Sequence, residues 1–249
     1  MDKKAKSPAV KPGDLTAPKQ GGAVAGKSSA AELAAFIRSA RNLDPQSAGR
    51  LIFSLDATMS RQPTWDRACQ IQASMFDAVG KVGGLSVQLV YFRGFGECRA
   101  SKWVMDSTAL RNLMTGIDCR GGQTQIGKAL KHAIREAGKN RVAAMVFIGD
   151  AMEEEIDHLC HLAGELGMKG TRLFLFQEGH DGLAEQAFRQ MANLSNGVYF
   201  RLGPNSAKDL AELLGAIAVY ASGGFKALEQ HSGAGGAKLL KQLPNPGSR

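Results

Sequence analysis

The sequence predicts one α/β domain built on a doubly wound, mostly parallel sheet with helices on both faces. Short, nearly continuous apolar runs recur along the chain, as expected of strands that are covered on both faces. Segments whose apolar residues follow helical spacing separate these runs. Such alternation is typical of strand–helix–strand crossovers, and it predicts this fold class.

Five apolar runs are the main strand candidates, and a sixth run is weaker. We expect strands at 51–55, 85–92, 142–148, 171–176 and 198–202, with the weaker candidate at 98–104. Between them, apolar residues recur every three or four positions and predict helices that pack one stripe on the sheet. These helices are expected at about 30–41, 68–82, 126–137, 156–166, 183–194 and 210–221.

Charge and composition set both ends of the chain apart. Residues 1–28 carry six lysines against two aspartates, and residues 226–249 carry four basic residues against one glutamate. Both segments are poor in large apolar side chains. We therefore predict a disordered basic tail at 1–28, a domain at 29–225 and a flexible basic tail at 226–249. Neither tail interleaves aromatic residues, so nucleic acid is not an expected partner.

The sequence lacks the targeting signals and cysteine pairs that are expected of a secreted or membrane protein. No apolar run approaches the roughly 20 residues that cross a bilayer. The basic start is not followed by the apolar segment of a secretory signal. The four cysteines form no Cys-x-x-Cys pair, which favours reduced thiols. The expectation is a cytoplasmic protein without a membrane contact.

Oxygen-bearing side chains follow two of the predicted strands. Asp56, Thr58 and Ser60 come directly after the first strand, and Asp150 follows the strand at 142–148. Thr124 lies in a glycine-rich segment before the helix at 126. Ligands of doubly wound sheets bind beyond the carboxyl ends of the strands. Two carboxylates and three hydroxyls suit Mg²⁺, Mn²⁺ or Ca²⁺ rather than zinc or copper.

This set resembles the metal-ion-dependent adhesion site, or MIDAS, of von Willebrand factor type A (VWA) domains. The family's motif is Asp-x-Ser-x-Ser after the first strand, a Thr in a glycine-rich loop and an Asp after the fourth strand. Asp56, Thr58 and Ser60 match the first part, Thr124 the second and Asp150 the third. Thr58 stands where Ser is commoner and offers the same hydroxyl. The resemblance covers about residues 48–222.

The resemblance implies a sheet of order 3-2-1-4-5-6 with an antiparallel third strand. It also implies that the hydroxyls of the first motif bind the metal directly, and that one coordination position stays open for a partner's carboxylate. Bacterial-type VWA proteins of this kind often serve as assembly factors. The expected function is therefore a metal-dependent protein-binding module, an assembly or adaptor factor rather than an enzyme. The resemblance predicts neither the oligomeric state nor the identity of the partner.

Two other functions are compatible with parts of this pattern. A phosphatase of the haloacid dehalogenase type also has an Asp after strand one and a Gly-Asp-x-x-x-Asp-like motif, which Gly149, Asp150 and Glu154 mimic. It needs a second carboxylate as general acid where Thr58 stands. The other alternative is an interaction domain that needs no metal. Glu153, Glu154 and Glu155 are expected to open the following helix, where negative charge suits the dipole. His158 and Cys160 are expected to be ordinary helix residues.

Overall fold

The computed structural model describes residues 49–61, 84–203, 207–231 and 233–244. The predicted basic tail at 1–28 and the predicted helices at 30–41 and 68–82 lie outside the described residues.

Six strands form one sheet in the order β3-β2-β1-β4-β5-β6. The strands are β1 (Gly49–Asp56), β2 (Leu85–Arg93), β3 (Glu97–Ala100), β4 (Ala144–Gly149), β5 (Arg172–Gln177) and β6 (Val198–Arg201). Strand β3 pairs antiparallel with β2, and the other neighbours are parallel. The predicted fold class, strand order and antiparallel third strand are confirmed.

Helices cover both faces of this sheet. The described helices are α1 (Ser107–Thr115), α2 (Ile126–Lys139), α3 (Ile156–Met168), α4 (Gly182–Leu194), α5 (Ala207–Glu229) and α6 (Ala234–Gln242). Buried residues of α1, α5 and α6 belong to the core on one face, and those of α2, α3 and α4 belong to the core on the other. Within the described ranges, none of these helices combines the length and apolar character needed to cross a bilayer.

The central strands show why the sequence reads as continuous apolar runs. In β4, Val146 and Ile148 face the first core, while Met145 and Phe147 face the second. The ring of Phe147 lies 6.1 Å from that of Phe92 in β2, centroid to centroid. Because both faces are covered, neither set of side chains is left in water, and no polar alternation appears.

The C-terminal region differs from the predicted flexible tail at 226–249. Helix α5 is kinked at Gly224 and then continues to Glu229, and α6 packs against it, with Leu239 completely buried. A Cβ on Gly235 would lie only 2.3 Å from the carbonyl oxygen of Glu212, so this glycine allows the two helices to touch. The glycines of this segment suggested flexibility, but Gly235 instead allows α6 to pack closely on α5. The folded unit therefore extends beyond residue 225 and includes α6.

We expect Leu239→Ala to lower the free energy of unfolding by about 2–4 kcal/mol, because it empties a fully buried site. Urea unfolding measures this loss. Leu194→Ala is the matched control, since Leu194 is 47% exposed and should cost about 0.5 kcal/mol or less. Equally small losses in both variants would mean that α6 does not contribute to the folded unit.

Candidate metal centre

The carboxyl ends of β1 and β4 bring the two predicted carboxylates to neighbouring positions. Leu55 pairs with Ile148 across the parallel strands, which places Asp56 beside Gly149. A Cβ on Gly149 would lie 3.6 Å from the Cβ of Asp56. Asp150 therefore follows directly on a residue that packs against Asp56.

The loop that carries Thr124 is tied to the same edge of the sheet. The amide of Arg120 donates to the carbonyl of Ala57 at 3.0 Å, next to a parallel bridge between Thr58 and Arg120. Farther along, a Cβ on Gly122 would lie 2.1 Å from the carbonyl oxygen of Gly94, a contact that only glycine allows without a backbone shift. These contacts fix the loop against the ends of β1 and β2.

The first motif forms a compact turn after β1. Asp56 is completely buried, and its Oδ1 accepts a hydrogen bond of 2.8 Å from the amide of Thr58. A short 3₁₀ turn, Met59–Arg61, follows. Thr58 Oγ1 and Ser60 Oγ lie 3.1 Å apart and share a hydrogen bond. The two hydroxyls are thus side by side, Thr58 buried and Ser60 exposed.

Two carboxylate oxygens of the site are buried without a hydrogen-bond partner. These are Asp56 Oδ2 and Asp150 Oδ1, and neither contacts a donor in the part of the chain that the structure describes. Leaving a buried polar group unsatisfied costs about 1–3 kcal/mol, and more for a charged one. Most buried polar groups in native proteins are paired, so orphaned ones need an explanation. A cation between the two carboxylates would satisfy both.

The raised pKa of Asp56 shows that its negative charge is unfavourable in the folded protein. The pKa of Asp56 is raised from its ordinary value of 3.8 to about 6, mainly by burial and to a smaller extent by the nearby carboxylate of Asp150. Hydrogen bonds from Thr58 and the charge of Arg61 act in the opposite direction and lower this pKa. The carboxylate is therefore ionised at neutral pH, but only at a cost in stability.

Glu153 holds Thr124 in place from the β4 side. The amide and the hydroxyl of Thr124 both donate to Glu153 Oε2 at 2.9 Å, and the amide of Glu153 donates to Thr124 Oγ1 at 3.2 Å. A hydroxyl has one proton and two lone pairs, so one lone pair of Thr124 Oγ1 remains for a ligand. Glu153 thereby orients the hydroxyl without using up its capacity to bind a cation.

Glu154 caps helix α2 rather than opening α3. Its carboxylate accepts hydrogen bonds from the amides of Ile126 and Gly127, the latter at 2.9 Å. The expectation that Glu153 and Glu154 open α3 was wrong, and Glu155 alone occupies the N-cap position there. Gln125, the N-cap residue of α2, makes no capping bond through its own side chain, so the helix needed an acceptor from elsewhere.

The other metal-ligand candidates do not assemble. No group of three or more His, Cys, Asp or Glu side chains able to hold a metal occurs among the described residues. Cys160 donates to Gln190 Oε1 at 3.4 Å, and it is a free thiol, as are Cys98 and Cys119. The candidate centre described above is not a group of this kind, because three of its five side chains carry hydroxyls.

Comparison of this protein with solved structures identifies its fold. Neither family models nor curated proteins returned a match to this sequence. Among solved structures, the VWA domain of SpRpn10 superposes with a TM-score of 0.54 at 14% identity, over 66% of this chain and 94% of that one. The chain has a VWA-like fold.

Two further structures extend this likeness. PTMP1 of the mussel byssus, described with a zinc-occupied MIDAS motif, gives a TM-score of 0.55 at 16% identity, over 70% of this chain and 47% of that one. The pilus adhesin SpaC of Lactobacillus rhamnosus GG gives 0.55 at 11% identity, over 72% and 30%. The VWA-like domain thus spans nearly all of the SpRpn10 domain but less than half of these longer chains.

Proposed function

We propose that this protein is a non-catalytic module that binds a protein partner through one divalent ion, as an assembly or adaptor factor. Asp56, Thr58, Ser60, Thr124 and Asp150 would hold the ion, which is Mg²⁺ or, with similar ligand preference, Mn²⁺ or Ca²⁺. The bound ion would supply an open, electron-accepting position that a carboxylate of the partner fills. Every other element of the site comes from the chain itself.

One observation carries this proposal, namely the two buried carboxylate oxygens without a partner. They lie at the ends of adjacent strands. The paired hydroxyls of Thr58 and Ser60 follow Asp56 in the chain, and Glu153, three residues after Asp150, orients the hydroxyl of Thr124. The mussel protein of similar fold is described with zinc at its MIDAS motif, which supports a divalent ion at such a position. The five side chains here are all oxygen donors, which favours a harder ion than zinc.

The chain's own residues prepare the site before any ligand arrives. The amide of Thr58 fixes one oxygen of Asp56, and Glu153 fixes the hydroxyl of Thr124. Both carboxylates follow buried central strands, which are the most rigid part of such a fold. Binding residues on rigid elements lose little freedom when the ligand binds, so more of the interaction energy appears as affinity.

The phosphatase alternative finds no support in these contacts. Thr58 lacks the carboxylic acid that would protonate a leaving group, and no described contact replaces it. Glu154, the second acid of the motif after β4, is bonded to the start of α2 instead. An interaction domain without a metal would leave the orphaned oxygens of Asp56 and Asp150 unexplained.

Affinity capture tests the proposed function. With the wild-type chain as bait, we expect a partner to be retained in millimolar Mg²⁺, lost with chelator and regained when Mg²⁺ is returned. Asp56→Ala should retain none, while Asp157→Ala, which removes an exposed carboxylate on α3, should behave as wild type. Partner retention that ignores both the chelator and Asp56→Ala would reject the metal-dependent mechanism.

A further inference from the structure

A second surface feature lies outside the candidate metal centre, between the edge strand β3 and helix α2. It is a cleft of about 290 Å³, which we call the cationic cleft, formed by Lys128, Lys131, Arg135 and Arg99 around a floor that includes Val90 and Cys98. No carboxylate lines it among the described residues. Strand β3 is the edge of the sheet, and among the described residues no further strand lies beyond it on this side of α2.

Three of the cations form one row along α2. Lys128, Lys131 and Arg135 are spaced by three and four residues, and all three are exposed. Residues at this spacing are neighbours on a helix surface, and like charges there destabilise the helix. The fold does not use the row, because the buried stripe of α2 consists of other residues. An anion in the cleft would remove this repulsion.

The carboxylates near the cleft already have partners, and one of them pairs with Arg99 of the cleft rather than with the row on α2. Glu97 pairs with Arg93 and Arg99, Glu136 pairs with Lys139, and Glu154 caps α2. Within the described ranges, Lys131 and Arg135 have no carboxylate at ion-pair distance. Lys128 donates only to uncharged oxygens, the carbonyl of Gly96 and the side chain of Gln125. The positive charge of the row is therefore not neutralised by the domain.

The floor of the cleft carries no charge of its own. Burial raises the pKa of the Cys98 thiol and lowers the pKa of His132, so both are neutral near pH 7. His132 Nε2 is also bonded to Gln88 Oε1 at 2.8 Å. Val90 and Ala100 complete an apolar base under a cationic rim. The matching ligand has anionic groups in a row and small uncharged groups between them.

An extended acidic peptide has this pattern. Alternate side chains of an extended chain point the same way and recur about every 7 Å. The cation row covers about 10 Å of helix, since each residue adds roughly 1.5 Å. Nucleic acid fits less well, because none of the described lining residues is aromatic and bases would find no stacking surface. We propose that the cationic cleft binds an extended acidic segment of a protein partner, independently of the metal centre.

A fluorescent peptide of about ten residues with alternating Glu and Ala tests this, with chelator present throughout. We expect the full chain to bind it, as measured by anisotropy, and binding to weaken between about 50 and 300 mM salt. The same peptide with Gln in place of Glu should not bind. The pair Lys131→Gln and Arg135→Gln should weaken binding about tenfold.

The matched control is the pair Lys208→Gln and Lys241→Gln, which removes the same charge from exposed positions on α5 and α6. It should change the affinity less than about twofold. Equal losses in both pairs would reject the cleft as the site and indicate attraction to the chain's overall positive charge. Absence of peptide binding, or tighter binding of single-stranded oligothymidylate than of the peptide, would also overturn the proposal. Because chelator is present, none of these outcomes depends on the metal centre.

Discussion

Mg²⁺ at about a hundred times its dissociation constant should stabilise the wild-type chain by about 2.7 kcal/mol, and Asp150→Asn should lose most of this gain. The proposed ion would bind only the folded arrangement, which places Asp56 and Asp150 at the ends of adjacent strands. For a domain of this size the rise in melting temperature should be roughly 5–10 °C. Asparagine keeps the shape of Asp150 and removes the charge that holds the ion.

The same variant should leave the protein without metal equally or more stable than wild type. Asp150 raises the pKa of Asp56, so the two carboxylates repel each other when no cation separates them. Thermal unfolding of both proteins, each with chelator and with millimolar Mg²⁺, measures both effects. If Mg²⁺ stabilises the variant as much as the wild type, the ion binds elsewhere on the chain.

Asp56→Asn should make the metal-free protein more stable at neutral pH, by up to about 3 kcal/mol, because it removes a buried charge. The folded protein binds the proton of Asp56 more tightly than the unfolded chain does, since the pKa rises from 3.8 to about 6. Protonation therefore favours folding. The stabilisation is complete below the lower value and is lost as the pH rises through the higher one.

The pH dependence of this variant gives a second readout. Between about pH 5 and pH 7.5, the stability of wild type relative to Asp56→Asn should fall by about 1.4 kcal/mol with chelator present. Denaturant unfolding at several pH values measures the difference. A difference that does not change over this range would mean that Asp56 titrates normally and that its burial is not costly.

The fold could be predicted because the strands are buried on both faces. Short continuous apolar runs such as the one in β4 are typical of strands covered on both faces, and the helical stripes between them predict the crossovers. The positions of Asp56 and Asp150 followed from the same reasoning, since parallel strands end at one edge. The resemblance of the motif then supplied the strand order, which spacing alone could not give.

What could not be predicted depends on contacts between distant segments. The bonds from Glu153 to Thr124 and from Glu154 to α2 join residues almost 30 positions apart, and acidic residues before a helix ordinarily suggest a cap of that helix. Helix α6 was missed because its glycines looked like signs of a loop. The cationic row on α2 lines a cleft because β3 lies beside it, which is again a contact between distant segments.

Titration with Mn²⁺, followed by the electron paramagnetic resonance of the free ion, tests the metal centre most directly. We predict one tight site per wild-type chain, weakened at least about tenfold when Asp56→Asn and Asp150→Asn are combined. Asp157→Asn, which removes one exposed carboxylate, should bind as wild type. Equal Mn²⁺ binding by the wild type and the double variant, or no binding by either, would contradict a metal centre between these two strands.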